Sequence, residues 1–277
     1  MNQFTAVMYE LYHEMTSKRV QKMFGLVVTL MVIVLVSTNK LFFSSYGGTA
    51  SGVFTLSIAL FWVGIFNSIT LICRIKPRIK VQVVQGLSIG YYMMAHVVFQ
   101  FIQCLIQTAV VTLMFFSAVT LELIKNCPTE GVITVFYLEF FLFAFLVVFS
   151  ADMLGLMISS FAKNEVSAMT LMPFVLITEM VLSNALFPLP EVFSHSLGWL
   201  SLGMISRWGI DMFGTICNVT SYNVLPGSMI YTEWPELIYT YSKSHLITCG
   251  FALLLHSAIY ILLAIALLRK IRKQSLL

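Results

Sequence analysis

The chain has 277 residues, 59% of them hydrophobic and only 10% charged, with a formal net charge of +4. So apolar a composition excludes a water-soluble domain. The small positive balance fits membrane topology and anionic lipid, not nucleic acid.

Residues 3–18 put Phe4, Val7, Met8, Leu11, Tyr12 and Met15 on one helical stripe, with Glu10, Glu14, Lys18 and Arg19 largely off it. That pattern predicts an amphipathic helix on the inner membrane surface or on a partner. His13-Glu14 opens like a zinc-protease motif, but Ser17 stands where the second histidine would, so no metal is expected.

A helical crossing needs about 20 consecutive apolar residues, which places crossings at roughly 23–43, 52–73, 93–121, 132–158, 168–187 and 246–268. A bilayer offers no water to bare amides, and nothing alternates as a membrane barrel would, so these stretches must be helices. The expected fold is an all-α membrane protein with six transmembrane helices over 23–277, preceded by the interfacial helix at 1–22. The polar stretch before the first crossing suits a retained anchor, not a short cleavable signal.

The second crossing leads into Arg74, Lys76, Arg78 and Lys80 and then a helical pattern over about 76–90. This segment is either a solvated loop or a cytosolic helix that docks on another protein. A second cytosolic loop falls at 159–167. The outer connections at 39–51 and 122–131 are short, but 188–245 holds four of the seven prolines and three of the four tryptophans. Loops that long are usually functional, and HSLGWLSLGMISRWGIDMFG is apolar enough for short helices that dip into the outer leaflet. Twelve of the sixteen Lys and Arg residues fall on the side of the 74–80 cluster, which makes both termini cytoplasmic.

Five cysteines show no metal spacing. Cys127, Cys217 and Cys249 lie near the outside; a Cys127–Cys217 bond, a Cys217 pair across a dimer, and free thiols all remain open. Asn218-Val219-Thr220 is a glycosylation sequon that has meaning only in a eukaryotic secretory pathway.

Polar groups at membrane depth are functional candidates by default. His96, Gln100, Gln103 and Gln107 share one narrow face of the third crossing. They are either hydrogen-bonding glue between helices or the wall of a polar path. Glu139 and Asp152 stand about 20 Å apart along one helix, too far for a catalytic pair. Asp152 is expected to meet a cytosolic-side cation, and Glu179 a partner or, preferably, a water-filled cavity. Gly86-Leu87-Ser88-Ile89-Gly90 matches a serine-hydrolase pentapeptide, with His256 in the last span. Ser88 belongs at the cytosolic surface and His256 nearer mid-membrane, so no catalytic residue is expected.

GLSIGYYMMAHVVFQFIQ and the run LGLMISSFAKNEVSAMTLMPFVLITEMVLSNALFPLP, followed by ISRWGIDMFG, resemble the transmembrane half of G-subfamily, or type-2, ABC transporters. The resemblance is diffuse but covers nearly the whole chain. It implies a permease subunit that pairs with a second six-span subunit, identical or paralogous, around a central cavity. The cavity would be lined by Ala59, Trp62 and Phe66 of span two and Pro173, Ile177 and Met180 of span five, under a roof at Ala185 and Leu186. Glu179 beside them would favour a cationic part in an amphipathic cargo, whether peptide, drug or lipid-like. The family's acidic coupling residues are missing at Val81 and Gln82, so contact with the ATPase would fall to Arg78, Lys80 and Gln85.

No G-x-x-x-x-G-K-[ST] occurs, so ATP and Mg would be bound by a separate ATPase chain, as in many bacterial plasma-membrane systems. This chain itself would carry no cofactor. The alternative from another class is a six-span intramembrane serine protease, or a non-transport immunity or assembly protein.

Overall fold

A computed structural model describes residues 3–15, 18–38, 42–183, 185, 199–222 and 240–275. Nine α-helices are built from them: α1 (Gln3–Met15), α2 (Lys18–Thr38), α3 (Tyr46–Ser68), α4 (Leu71–Val84), α5 (Ile89–Thr120), α6 (Phe136–Phe161), α7 (Glu165–Val181), α8 (Ile205–Ile216) and α9 (Lys243–Ser275). Among the described residues there is no strand, only an isolated bridge between Glu130 and Val135. Among the described residues, four helical runs, Tyr46–Val84, Ile89–Thr120, Phe136–Phe161 and Lys243–Lys270, are long and apolar enough to cross a membrane. The apolar stretch of α2, Phe24–Ser37, is shorter, and α7 has 17 residues.

The centre of the bundle is the α3–α6 pair, with α2, α5, α8 and α9 packed around it. Small residues make that crossing close. A Cβ on Gly64 would lie 2.2 Å from the Val148 carbonyl, and one on Gly155 would lie 2.6 Å from Ser68 Oγ. In hydrocarbon, helices gain nothing from the hydrophobic effect by meeting, so close backbone approach supplies the attraction instead. An aromatic cluster closes one end of the bundle. Phe42 and Phe43 of the α2–α3 link meet with centroids 4.4 Å apart, and Phe115 of α5 stacks on Phe140 of α6 at 4.6 Å. Phe213 of α8 joins Phe140 edge-on at 5.5 Å.

The helix ends are fixed by particular side chains. Ser45 caps α3 by accepting from Gly48 N at 3.2 Å, and Asn164 caps α7 by accepting from Ser167 N at 2.9 Å. The expected second crossing, 52–73, is instead a helix from Tyr46 that breaks after Ser68. The new helix α4 then starts early because Ser159 of α6 accepts from its first amides, Ile72 N at 2.9 Å and Cys73 N at 3.0 Å. Orphan first-turn donors need such an acceptor. The cytosolic helix expected at 76–90 therefore runs over 71–84. It ends in a Schellman turn, with Leu87 N bonded to the Gln82 carbonyl at 2.9 Å. Gly86 sits there at φ 100°, a conformation that a residue with a Cβ rarely adopts.

The amphipathic helix packs on its own chain. Val7 and Leu11 of α1 are buried, and α1 lies against α5. The side chains of Tyr12 and Met15, from the predicted stripe, fall outside the described residues. Gln3 grips the α4–α5 turn twice, donating to the Gly86 carbonyl and accepting from Ser88 N, both at 3.0 Å. Arg78 of α4 pairs with Glu10 of α1 in the open, a contact of the kind worth about 0–1 kcal/mol. Burial and the Gln3 clamp, more than this ion pair, hold α1 in place.

Candidate transport path and coupling surface

The polar stripe of α5 is enclosed. His96, Gln100, Gln103 and Gln107 are all buried, and three of them bond across to neighbouring helices. Asn67 of α3 is the hub. Its amide nitrogen donates to Gln107 Oε1 at 2.8 Å, while its oxygen accepts from Gln107 Nε2 at 2.9 Å and Gln103 Nε2 at 3.1 Å. Gln100 donates to Asp152 Oδ1 of α6 at 3.0 Å, and Cys104 donates to Asp152 Oδ2 at 3.2 Å. Asp152 thus meets an amide and a thiol where a cation was expected. Among the described residues no Lys or Arg pairs with it. Both ring nitrogens of His96 and Gln100 Oε1 are buried without a hydrogen-bond partner among the described residues. Asn67, the hub, was not singled out from sequence, although a lone amide in an apolar span is itself a signal.

Glu139 is buried because the loop before α6 folds over it. Its carboxylate accepts from the backbone amides of Val132, at 2.9 Å, and of Ile133 and Thr134. Glu179 of α7 is only 3% exposed. It accepts from Ser206 of α8 through both backbone N, at 2.9 Å, and Oγ, at 2.8 Å. Its carboxylate turns toward α8, whereas Pro173, Phe174 and Ile177 of the same helix face outward. Replacing Glu179 with Gln keeps these acceptor contacts. It is expected to leave the ratio of cationic to neutral cargo transport unchanged, as measured in vesicles carrying paired cargoes.

One apolar face stands open on α7, and a partly exposed aromatic pair lies on α3. On α3, Trp62 and Phe66 are half-exposed one turn apart, while Ala59 on the same side is buried. On α7, Phe174 is 67% and Ile177 59% exposed, and Met180 is half-buried. Only Ala168, Met172 and Glu179 of α7 are buried, so this helix touches the bundle along one narrow edge. Ala185 is half-buried; Leu186 lies outside the described residues.

The opposite faces of α4 carry different chemistry. Ile79 and Val83 are buried, Arg78 turns to Glu10, and Lys80 lines a pocket with Lys76 and Lys163. Pro77, Val81, Val84 and Gln85 are exposed, with Val81 at 57% and Val84 at 59%. Spacings of 4 and 7 make Pro77, Val81 and Val84 one apolar stripe, the form of a helix that docks in a groove.

The remaining motifs carry no chemistry. Ser88 N is held by Gln3, and His256 Nδ1 lies 2.7 Å from the Ala252 carbonyl of its own helix, so the two are not a nucleophile and its base. All five cysteines are free thiols. Burial pushes the Cys127 thiol up to about 11 and raises that of Cys217 as well, which keeps reactive thiolate scarce.

The sequence profile of the ABC-2 type transporter family matches residues 2–216, from the start of α1 to the end of α8. No curated protein matches the chain. The match spans the clamped α1, the helix pair at the centre of the bundle, the basic helix α4 and α8. The chain belongs to the ABC-2 type transporter family, and it is a membrane-spanning transport permease subunit, not itself a catalyst.

Proposed function

We infer that this chain is the six-span permease of an ATP-driven exporter of amphipathic cargo. It works as a dimer, identical or paralogous, on two separate ATPase chains that bind ATP and Mg. The observation that carries this reading is the placement of polarity. The polar side chains at membrane depth are enclosed, and Asn67, Gln100, Gln103, Gln107, Asp152 and Glu179 are bonded within one protomer, while α7 presents an open apolar face and α3 the partly exposed pair Trp62 and Phe66. A path for cargo through a single protomer would break the Asn67 and Asp152 contacts. A path between two protomers needs only that Trp62 and Phe66 of α3 and Pro173, Ile177 and Met180 of α7 face their counterparts. Aromatic and methionine walls suit apolar cargo of varied shape.

The ATPase would dock under α4, on Pro77, Val81 and Val84 with Arg78 and Gln85 at the rim. Closure of the ATPases would push α4, and through the Ser159 cap and the Gln3 clamp the push would reach α6 and α1. The chain would be multi-pass in a bacterial plasma membrane, with both ends in the cytosol.

The test is cargo-stimulated ATP hydrolysis by the chain purified with its ATPase and reconstituted in vesicles. Trp62→Ala and Ile177→Ala are each expected to lower stimulation several-fold without loss of folded dimer, since an aromatic anchor carries the largest contact area. Stimulation equal to the parent in both variants would place the cargo elsewhere. Topology is checked separately by impermeant thiol labelling of single cysteines in intact cells. Position 222 should react from outside, and positions 78 and 164 only after the membrane is opened.

A further inference from the structure

Between α4, the end of α6 and the end of α9 lies a pocket of about 400 Å³ lined by Lys76, Pro77, Lys80, Phe161, Lys163 and Leu267. Three lysines line it: Lys76 and Lys80, one turn apart on α4, and Lys163 from the link between α6 and α7. Lys76 Nζ donates to the Ala162 carbonyl, which draws that side chain into the wall. Lys80 and Lys163 form no ion pair among the described residues. Burial lowers the pKa of Lys76; Cys73 opposes that shift and the neighbouring Lys80 adds to it. Arg269 and Lys270, both exposed, follow Leu267 on α9 and add to the positive field.

The pocket also has an apolar exit. Leu267 continues upward through Leu263, 45% exposed, and Ile259, 43% exposed, at intervals of four residues along α9. Phe161, 66% exposed, flanks the opening. A cationic cup at a helix end that opens onto an apolar stripe matches a phosphate with acyl chains attached. A free nucleotide would have no use for the stripe. We propose that this pocket binds the phosphate headgroup of an anionic phospholipid, with an acyl chain laid along the Leu267–Leu263–Ile259 stripe of α9. Val81 and Val84, the exposed apolar residues further along α4, do not line the pocket; Pro77 borders both surfaces.

The test uses the full chain in nanodiscs and detergent, with phosphatidylglycerol and phosphatidylcholine as probes and native mass spectrometry of retained lipid as the readout. The parent is expected to retain phosphatidylglycerol in preference to phosphatidylcholine. The triple variant Lys76→Gln, Lys80→Gln, Lys163→Gln should lose that retention by about ten-fold or more, given the worth of each basic residue near a lipid surface. The triple Lys→Arg variant should keep it. Lys125→Gln with Lys243→Gln, which removes two charges elsewhere, should also keep it. Thermal unfolding checks that each variant is folded; if the triple Gln variant is not, Lys163→Glu on its exposed loop replaces it, with the same loss expected. Equal retention of both lipids by the parent, or undiminished phosphatidylglycerol on the Gln variant, overturns the proposal. Displacement of the lipid by millimolar inorganic phosphate would show a free-anion site and overturn it too.

Discussion

Gly64→Leu is expected to abolish the folded bundle, leaving little protein that survives extraction in mild detergent. The position sits where α3 and α6 cross most closely. Its first added carbon would lie 2.2 Å from the Val148 carbonyl and 2.7 Å from Ala151 Cβ. A backbone carbonyl inside a helix cannot swing aside as a flexible side chain can, so the whole of α6 has to move. Overpacking a core usually costs about 1–3 kcal/mol, more where the backbone must shift. Here the shift would also pull Asp152 from Gln100 and Cys104, and Ser68 from the Asp152 carbonyl. Gly64→Ala should show a graded version of the defect, read as a lower unfolding midpoint. Gly25→Ala is the control: nothing lies within 4 Å of its added carbon, and removing a glycine from a helix interior should be neutral or stabilising by up to about 1 kcal/mol. A Gly64→Leu protein with a normal midpoint would mean that α3 and α6 do not cross as described.

The second large effect is expected on α4. Val81→Asp together with Val84→Asp should eliminate co-purification of the proposed partner ATPase while leaving insertion and the unfolding midpoint near those of the parent. Both side chains are more than half exposed, so acids there remove no packing within the chain. They would, however, place two charges in the middle of a docked apolar stripe, and an unpaired buried charge is strongly disfavoured. Arg78→Glu makes a useful contrast. It breaks an exposed pair with Glu10 and reverses one charge at the rim of the proposed dock, so its effect should be smaller than that of the double Asp variant, and Glu10→Arg in the same chain should restore the pair. Full ATPase binding by the double Asp variant would move the coupling surface to the rim residues, or to the groove between α1 and α4 that Gln85 lines.

Much of the architecture was legible because the bilayer is a severe solvent. Apolar runs had to become helices, and each of the expected stretches overlaps a described helix, four of them in runs long and apolar enough to cross a membrane. The family could also be recognised, since the match extends over residues 2–216. The ends moved for local reasons that hydropathy does not carry. Ser159 starts α4 early, the Gly86 turn ends it at Val84, and α5 then begins at Ile89 instead of 93.

The details of the site were less legible. Sequence periodicity put His96, Gln100, Gln103 and Gln107 on one face but could not say what that face met. Periodicity along one helix is blind to the rotation of its neighbours. Asn67 lies 36 residues from Gln103, and Asp152 lies 52 from Gln100. Glu179 was assigned to a cavity by the expense of a lone carboxylate in hydrocarbon, a sound argument that lacked the Ser206 partner. The amino-acid sequence alone determined the solvent, the apolar helices and the family. The tertiary structure decided which polar groups are paired and which apolar faces stay open, because those depend on how helices distant in sequence rotate against one another.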